Sequence, residues 1–448
     1  MKYLPWAFSF FTLVASATPH PHPGELVPIP RFKIQKSHPV IFSQYVEGSP
    51  VWRVQLDWSE GEKYALRHSI LENSGTPALQ KRSLVRDPWG SYIAELKVGE
   101  RSYFDSIGTG KEYRRLALSL SFRFPLPSVS SQLKVWAENP QTGVHEVVFE
   151  ASLDPASFKT LRPAAVETRV LREASTNNPL IFSIYAEGYQ AGSAEKFFTA
   201  AQKVVKTFEA TKFPGQEHFR FVAVFAPSAE KLGNPRDLGP EPLPRKSFLG
   251  LYFPHWNPFG RWTDVLYGTN EDQLRSGFAS VAYDYPLALI DDNQYWGIGN
   301  YHVFTAIPAT HSQFSYLLLH EFGHYMGLNE EYEEGGRTEL EFAPGISEPW
   351  SANMTFHPRR GELKWEHLVA ADTPLPTSRN IFDTRNLVGA YRGGYAVSEP
   401  LGVNHKPVQQ CTMNGGGGFC PVCNEGLLNQ IKKDSGDQEL RPRNPGRP

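Results

Sequence analysis

Cysteine is nearly absent from this chain: 448 residues contain three, all between positions 411 and 423. So few, so clustered, they exclude a disulfide framework as the device holding the fold together, which must rest on apolar cores instead. Long apolar runs are also missing. No segment reaches eighteen uninterrupted apolar residues, so no transmembrane helix and no membrane insertion is expected. Neither sign of charge is in excess: 45 basic side chains stand against 47 acidic ones, for a formal net charge of -2. That balance gives no footing for nucleic acid or an anionic membrane surface as partner.

What is present is ordinary globular material, with 40% hydrophobic and 13% aromatic residues, in a chain long enough for two or three domains. The aromatics read as Phe and Tyr of large cores. At the N-terminus, Lys2, an apolar run from Trp6 to Val14 and the small triplet Ala15-Ser16-Ala17 read as a secretory signal (1–17) cleaved near Ala17. The expected location is therefore secreted or periplasmic. No cysteine near the cleavage point argues for a lipid anchor. In an exported chain a disulfide is expected within the C-terminal cluster, Cys411 pairing with Cys420 or Cys423, because a zinc cluster would want a fourth ligand. The pairing stays open.

After a Pro/His-rich stretch (18–37), residues 38–155 alternate apolar and polar residues in short runs broken by turn signals, as in "SYIAELKV" and "RLALSLSFRF". This reads as an antiparallel β-sandwich without a cluster of chemistry-bearing residues. The polar, Pro-containing segment 156–179 reads as a linker. Residues 180–431 then alternate strands and helices, as in an α/β domain: "LIFSIYAEGY", a helix capped by Ser193 with Phe197, Ala201, Val204 and Phe208 on one face, "FRFVAVFA", a helix near 271–283, and "PLALIDD". The segment "NQYWGIGNYHVFTAI" reads as an edge strand approached through glycines. The charged tail 432–448 reads as disordered.

The chemistry concentrates in "YLLLHEFGHYMGLNEEYEEGG", residues 316–336. Residues four apart lie on one helix face, so His320 and His324 can present imidazoles to one ion, with Glu321 beside them. Gly327 sits where the helix would end in a left-handed turn, sending the chain back toward the metal. A catalytic zinc takes three protein ligands and keeps a fourth position open, and Glu330, six residues past His324, is placed to be the third. Glu331 would then face away, since adjacent side chains of an extended segment point oppositely. A structural site would fill all four positions and favour cysteines, none of which lies nearby in sequence.

These residues resemble the zinc metallopeptidases named after the IgA peptidase, a family of metzincins. The likeness runs from about 180 to 428. "FSIYAEGY" is similar to the family's opening strand and D-G-Y turn, with Glu187 for the aspartate, and "IDDNQYWGIG" to its N-x-x-Y-G-G-x-G edge segment, with Trp296 at the first glycine. "HEFGHYMGLNEEY" resembles H-E-F-G-H followed by G-L-A-D-E-Y. "EPWSANMT", "KWEHL" and "CTMNGGGGFCPVC" resemble E-P-N-x-T, K-W and C-x-M…C-P-x-C segments. The resemblance implies a metzincin-like zincin catalytic domain after a β-rich one, an α+β or α/β chain overall, with Met413 forming a methionine turn beneath one catalytic Zn2+. Metzincins generally carry His or Asp as third ligand where this chain has Glu330.

The expected activity is peptide-bond hydrolysis by a zinc-activated water, with Glu321 as general base and a protein or peptide as substrate. The edge segment, with Tyr295, Gly297 and Gly299, would hold the substrate by β-augmentation. Tyr332 is a candidate to assist at the oxyanion. Two rivals stand beside this reading: a zinc-containing binding protein whose site has drifted, and a gluzincin-type peptidase with Glu348 as third ligand, which Pro349 disfavours in a helix. The oligomeric state is not written in the sequence.

Overall fold

The computed structural model describes residues 47–59, 63–84, 90–108, 119–139, 144–232, 246–252, 267–268, 271–332, 348–379, 386–394 and 404–436. The expected signal peptide (1–17), the stretch 18–37 and residues 437–448 of the expected tail lie outside these. Within them the protein is a mixture of α and β structure, mostly sheet with few helices.

The N-terminal region is β-rich. Its strands are β1 (Ser49–Ser59), β2 (Lys63–Gly75), β3 (Tyr92–Val98), β4 (Arg101–Ile107), β5 (Ser119–Pro125), β6 (Ser131–Glu138), β7 (His145–Leu153) and β8 (Lys159–Thr160). They form two four-stranded sheets, in the orders β5-β1-β2-β8 and β4-β3-β6-β7, antiparallel apart from the short β2–β8 pair. Successive side chains on a strand face opposite ways, and every second residue here enters a common core: Trp52, Val54 and Leu56 of β1 meet Ala94, Leu96 and Val98 of β3.

A six-stranded sheet follows, built from β9 (Glu167–Arg172), β10 (Leu180–Glu187), β11 (Phe219–Phe225), β14 (Tyr285–Ile290), β15 (Ile298–Asn300) and β16 (Phe304–Pro308); β12 (Leu251–Tyr252) and β13 (Tyr267–Gly268) pair separately. Its order is β15-β16-β14-β10-β11-β9, the inner four parallel and the two edges antiparallel. Every residue of β10 and of β14 is buried, which explains why both read as uninterrupted apolar runs. On one face Leu180, Phe182 and Ile184 pack against the helices Ala194–Ala210, Phe314–Tyr325 and Pro421–Ser435, through Phe208, Phe322 and Leu427. On the other, Ile181 and Tyr185 share the core of the N-terminal sheets.

The segment 156–179 is not a free linker. It supplies β8 to the N-terminal region and β9 to the edge of the large sheet. Its polarity misleads because β9 is an exposed edge strand, where Arg169 bonds Glu167 and Glu195, and Arg172 reaches Gln216. Likewise the tail does not begin at Lys432. The C-terminal helix runs to Ser435 and closes on Gly436 in the left-handed region, and Asp434 is buried where it accepts from the Tyr285 hydroxyl (2.8 Å). Ser193 stands at the start of its helix as expected but makes no side-chain capping bond.

Candidate metal centre

The helix Phe314–Tyr325 follows β16 after a short turn, with Leu317, Leu318 and Phe322 in the core. One turn apart on it, His320 and His324 bring their Nε2 atoms to 3.2 Å of each other. Each Nδ1 faces a backbone carbonyl, Thr412 O at 3.0 Å and Leu328 O at 2.9 Å. A carbonyl only accepts, so both Nδ1 atoms carry the proton and both Nε2 lone pairs point at one spot. Two acceptors facing each other repel unless a cation lies between them. The donor set therefore fits a divalent metal.

Met326 ends the helix, and Gly327 takes the left-handed conformation expected of it (φ 90°). The returning segment carries the carboxylate of Glu330 to 3.8 Å from His324 Nε2. Asn353 holds that segment, accepting from Asn329 N (2.9 Å) and donating to Asn329 O (2.8 Å). Glu331 turns the other way, fully buried, and bonds Asn353 Nδ2 and Cys423 Sγ at 3.0 Å each. Glu348 pairs with Lys364 (3.2 Å) and lies 3.8 Å from His357. The gluzincin alternative needs this same carboxylate, which Lys364 engages here.

Glu321 lies between the histidines in sequence and is buried. Burial, aided by Glu330 and opposed by His324, pushes its carboxyl up to about 7. Burial and the neighbouring His324 push His320 down to about 4. Gly297 and Gly299 flank Glu321 at very close range. A Cβ on Gly297 would lie 2.4 Å from Glu321 Oε1, and one on Gly299 would lie 1.8 Å from the Glu321 carbonyl oxygen. Gly299 thus admits the backbone of the histidine helix and Gly297 the Glu321 side chain. Tyr295 stands exposed beside His311, and the Tyr332 ring lies 6.0 Å from that of His320.

Met413 is buried under the helix at the one position without a side chain, where a Cβ on Gly323 would meet its sulfur at 2.7 Å. The expected disulfide is not formed. Cys411, Cys420 and Cys423 are free and buried, with Cys411 and Cys423 sulfurs 3.7 Å apart. Sequence reasoning missed that Glu331 joins them, because nothing in local spacing connects position 331 to 411–423.

Comparison with known proteins adds a family. No curated protein matches the chain. Met413 and the cysteines lie beyond the matched span, but both histidines, Glu321 and Glu330 lie within it: residues 170–386 match the family described as IgA Peptidase M64, a peptidase family.

Proposed function

We propose that this protein is an exported zinc-dependent endopeptidase of metzincin-like fold, with His320, His324 and Glu330 as ligands and Glu321 as general base. The observation carrying the reading is the pair of Nε2 lone pairs converging beside the Glu330 carboxylate, with Glu321 in the same helix turn. Zinc bound there supplies Lewis-acid polarisation and brings the pKa of water to about 7. Glu321, whose carboxyl is held near neutrality, takes the proton of the attacking water and returns it to the leaving amine. The Thr412 and Leu328 carbonyls hold the two imidazoles in the required tautomer. β15 has no strand paired on its outer side among the described residues, so an extended substrate could add there, passing Tyr295.

The test is hydrolysis of a peptide library by purified protein, with and without chelator, for the native chain and Glu321→Gln. The native chain should cleave, stop on chelation and recover with zinc. Glu321→Gln should keep zinc and lose at least about a hundredfold in turnover. A folded, zinc-loaded native protein that cleaves nothing would favour a binding protein instead.

A further inference from the structure

Glu331, Cys411, Cys420 and Cys423 place one carboxylate oxygen and three sulfurs within 4.8 Å of one another, all four residues buried. We propose that this cluster is a second, structural zinc site, built from three thiolates and one carboxylate and separate from the histidine site.

The donor set is complete. Structural zinc is tetrahedral and closed, and three cysteines with one oxygen ligand fill four positions without leaving room for water or substrate. The fourth ligand, which the cysteines alone lack, arrives from the segment returning past Glu330. A second observation points to a cation. Glu331 Oε1 accepts from Asn353 and Cys423, whereas Oε2 is buried with no hydrogen-bond partner. Buried carboxylate oxygens are rarely left so unless a positive charge is supplied.

Backbone donors face two of the sulfurs. Cys420 and Cys423 flank Pro421 and Val422 at the start of the C-terminal helix, whose free backbone N–H groups are an anion-favouring setting for the thiolates of a bound ion. Cys423 N faces Cys420 Sγ, and Cys420 N faces Cys411 Sγ, each at 3.4 Å. Zinc with three thiolates and a carboxylate carries net negative charge, and buried Lys406 stands beside it, its ammonium donating to the Glu331 carbonyl oxygen. The thiol protons leave to solvent as the ion binds.

The position suggests what the site is for. Glu331 follows Glu330, and its N–H donates to Met413 O (2.8 Å). Cys411 precedes Thr412, whose carbonyl orients His320. One ion would tie together the two segments that shape the histidine site from behind.

Zinc content and zinc X-ray absorption decide the matter on the full chain purified under reducing conditions. The native protein should hold two zinc ions. A His320→Ala/His324→Ala variant should keep one, surrounded by sulfur at about 2.3 Å. Glu331→Gln and Cys420→Ser should lose that sulfur-bound ion. Should those two variants fail to fold, the histidine variant and the native spectrum still decide. Zinc without sulfur neighbours in the native protein, or a disulfide among the three cysteines in non-reducing peptide maps, would overturn the proposal.

Discussion

Neighbouring side chains with opposite assignments are the sharpest feature of this protein at the scale of the residue. Glu330 and Glu331 differ by one position, yet the first points toward His324 and the second into the cysteine cluster. Glu330→Ala is expected to abolish zinc binding at the proposed histidine site while the protein stays folded, since Glu330 is part-exposed. Metal analysis after dialysis checks this, and full retention of histidine-bound zinc would remove Glu330 from the ligand set. Glu187 offers a second prediction. It is buried and accepts from Ser247 Oγ and from the N–H groups of Leu249 and Leu251, yet burial outweighs these donors and pushes its carboxyl from 4.5 up to about 7. A raised pKa means that folding takes up a proton. The Glu187 contribution to stability is thus complete below about pH 4.5 and is lost as pH rises through about 7. The slope is at most ~1.4 kcal/mol per pH unit. Denaturation of the native chain and Glu187→Gln across that window should give a difference in stability that varies with pH, and a constant difference would refute the assignment.

Elements were legible in the sequence to the degree that their pattern was local. The histidine helix, its glycine stop and the buried strands β10 and β14 follow from periodicity and turn chemistry within a dozen residues. The segment read as one edge strand folds as two, of which Ile298–Asn300 is the edge and Phe304–Pro308 is paired on both sides. Gly297 and Gly299 read as openings for a peptide; on the helix side they also admit the Glu321 side chain and carbonyl, which no spacing rule reveals. β9 and the last turn of the C-terminal helix were missed because their charges looked solvated, and only tertiary partners such as Glu195 and Tyr285 distinguish a paired charge from a free one. The packing of β15 on the helix predicts a sharp contrast. Gly299→Ala sets a methyl group 1.8 Å from a backbone oxygen that cannot swing aside, so helix and strand must separate. A cost of about 1–3 kcal/mol or more is expected, together with weaker zinc binding, because Glu321 sits at the contact. Gly361→Ala has open space around it and meets only the strain of its positive φ, which a loop absorbs at about 1 kcal/mol without touching zinc. Thermal melts and zinc affinity of both variants test the contrast, and equal effects would show that the close approach is not what the glycine serves.

Over the whole molecule, the β-rich N-terminal region and the large sheet share one core, with Trp52 and Phe122 in the same cluster as Tyr185 and Ala288. A polar network crosses the same boundary. Arg53 pairs with Glu72 (2.5 Å), both fully buried, and donates to the Tyr283 hydroxyl (2.6 Å), while Arg123 donates to the Tyr283 carbonyl (2.9 Å) and Thr76 to Asp284 (2.5 Å). Burial works to raise the Glu72 carboxyl, but Arg53 and Arg123 outweigh it and hold it below its ordinary range. Two regions joined this way should not melt independently. Calorimetry is expected to show one transition for the native chain, coincident with release of the zinc proposed at the histidines. Arg53→Met removes the nearest cation and leaves buried Glu72 with Ser74 Oγ at 3.1 Å and Arg123 at 3.9 Å, a weakly compensated charge whose cost is expected toward the lower end of about 3–5 kcal/mol. Glu72→Met strands Arg53 in the same way. The double variant should cost clearly less than the two single costs added, because removing both charges removes the desolvation penalty along with the attraction. The distinguishing outcome is where the loss appears. If Arg53→Met lowers an early transition and leaves zinc release at its native temperature, the N-terminal region is an appendage; if both move together, the network is part of what keeps the histidine helix in place.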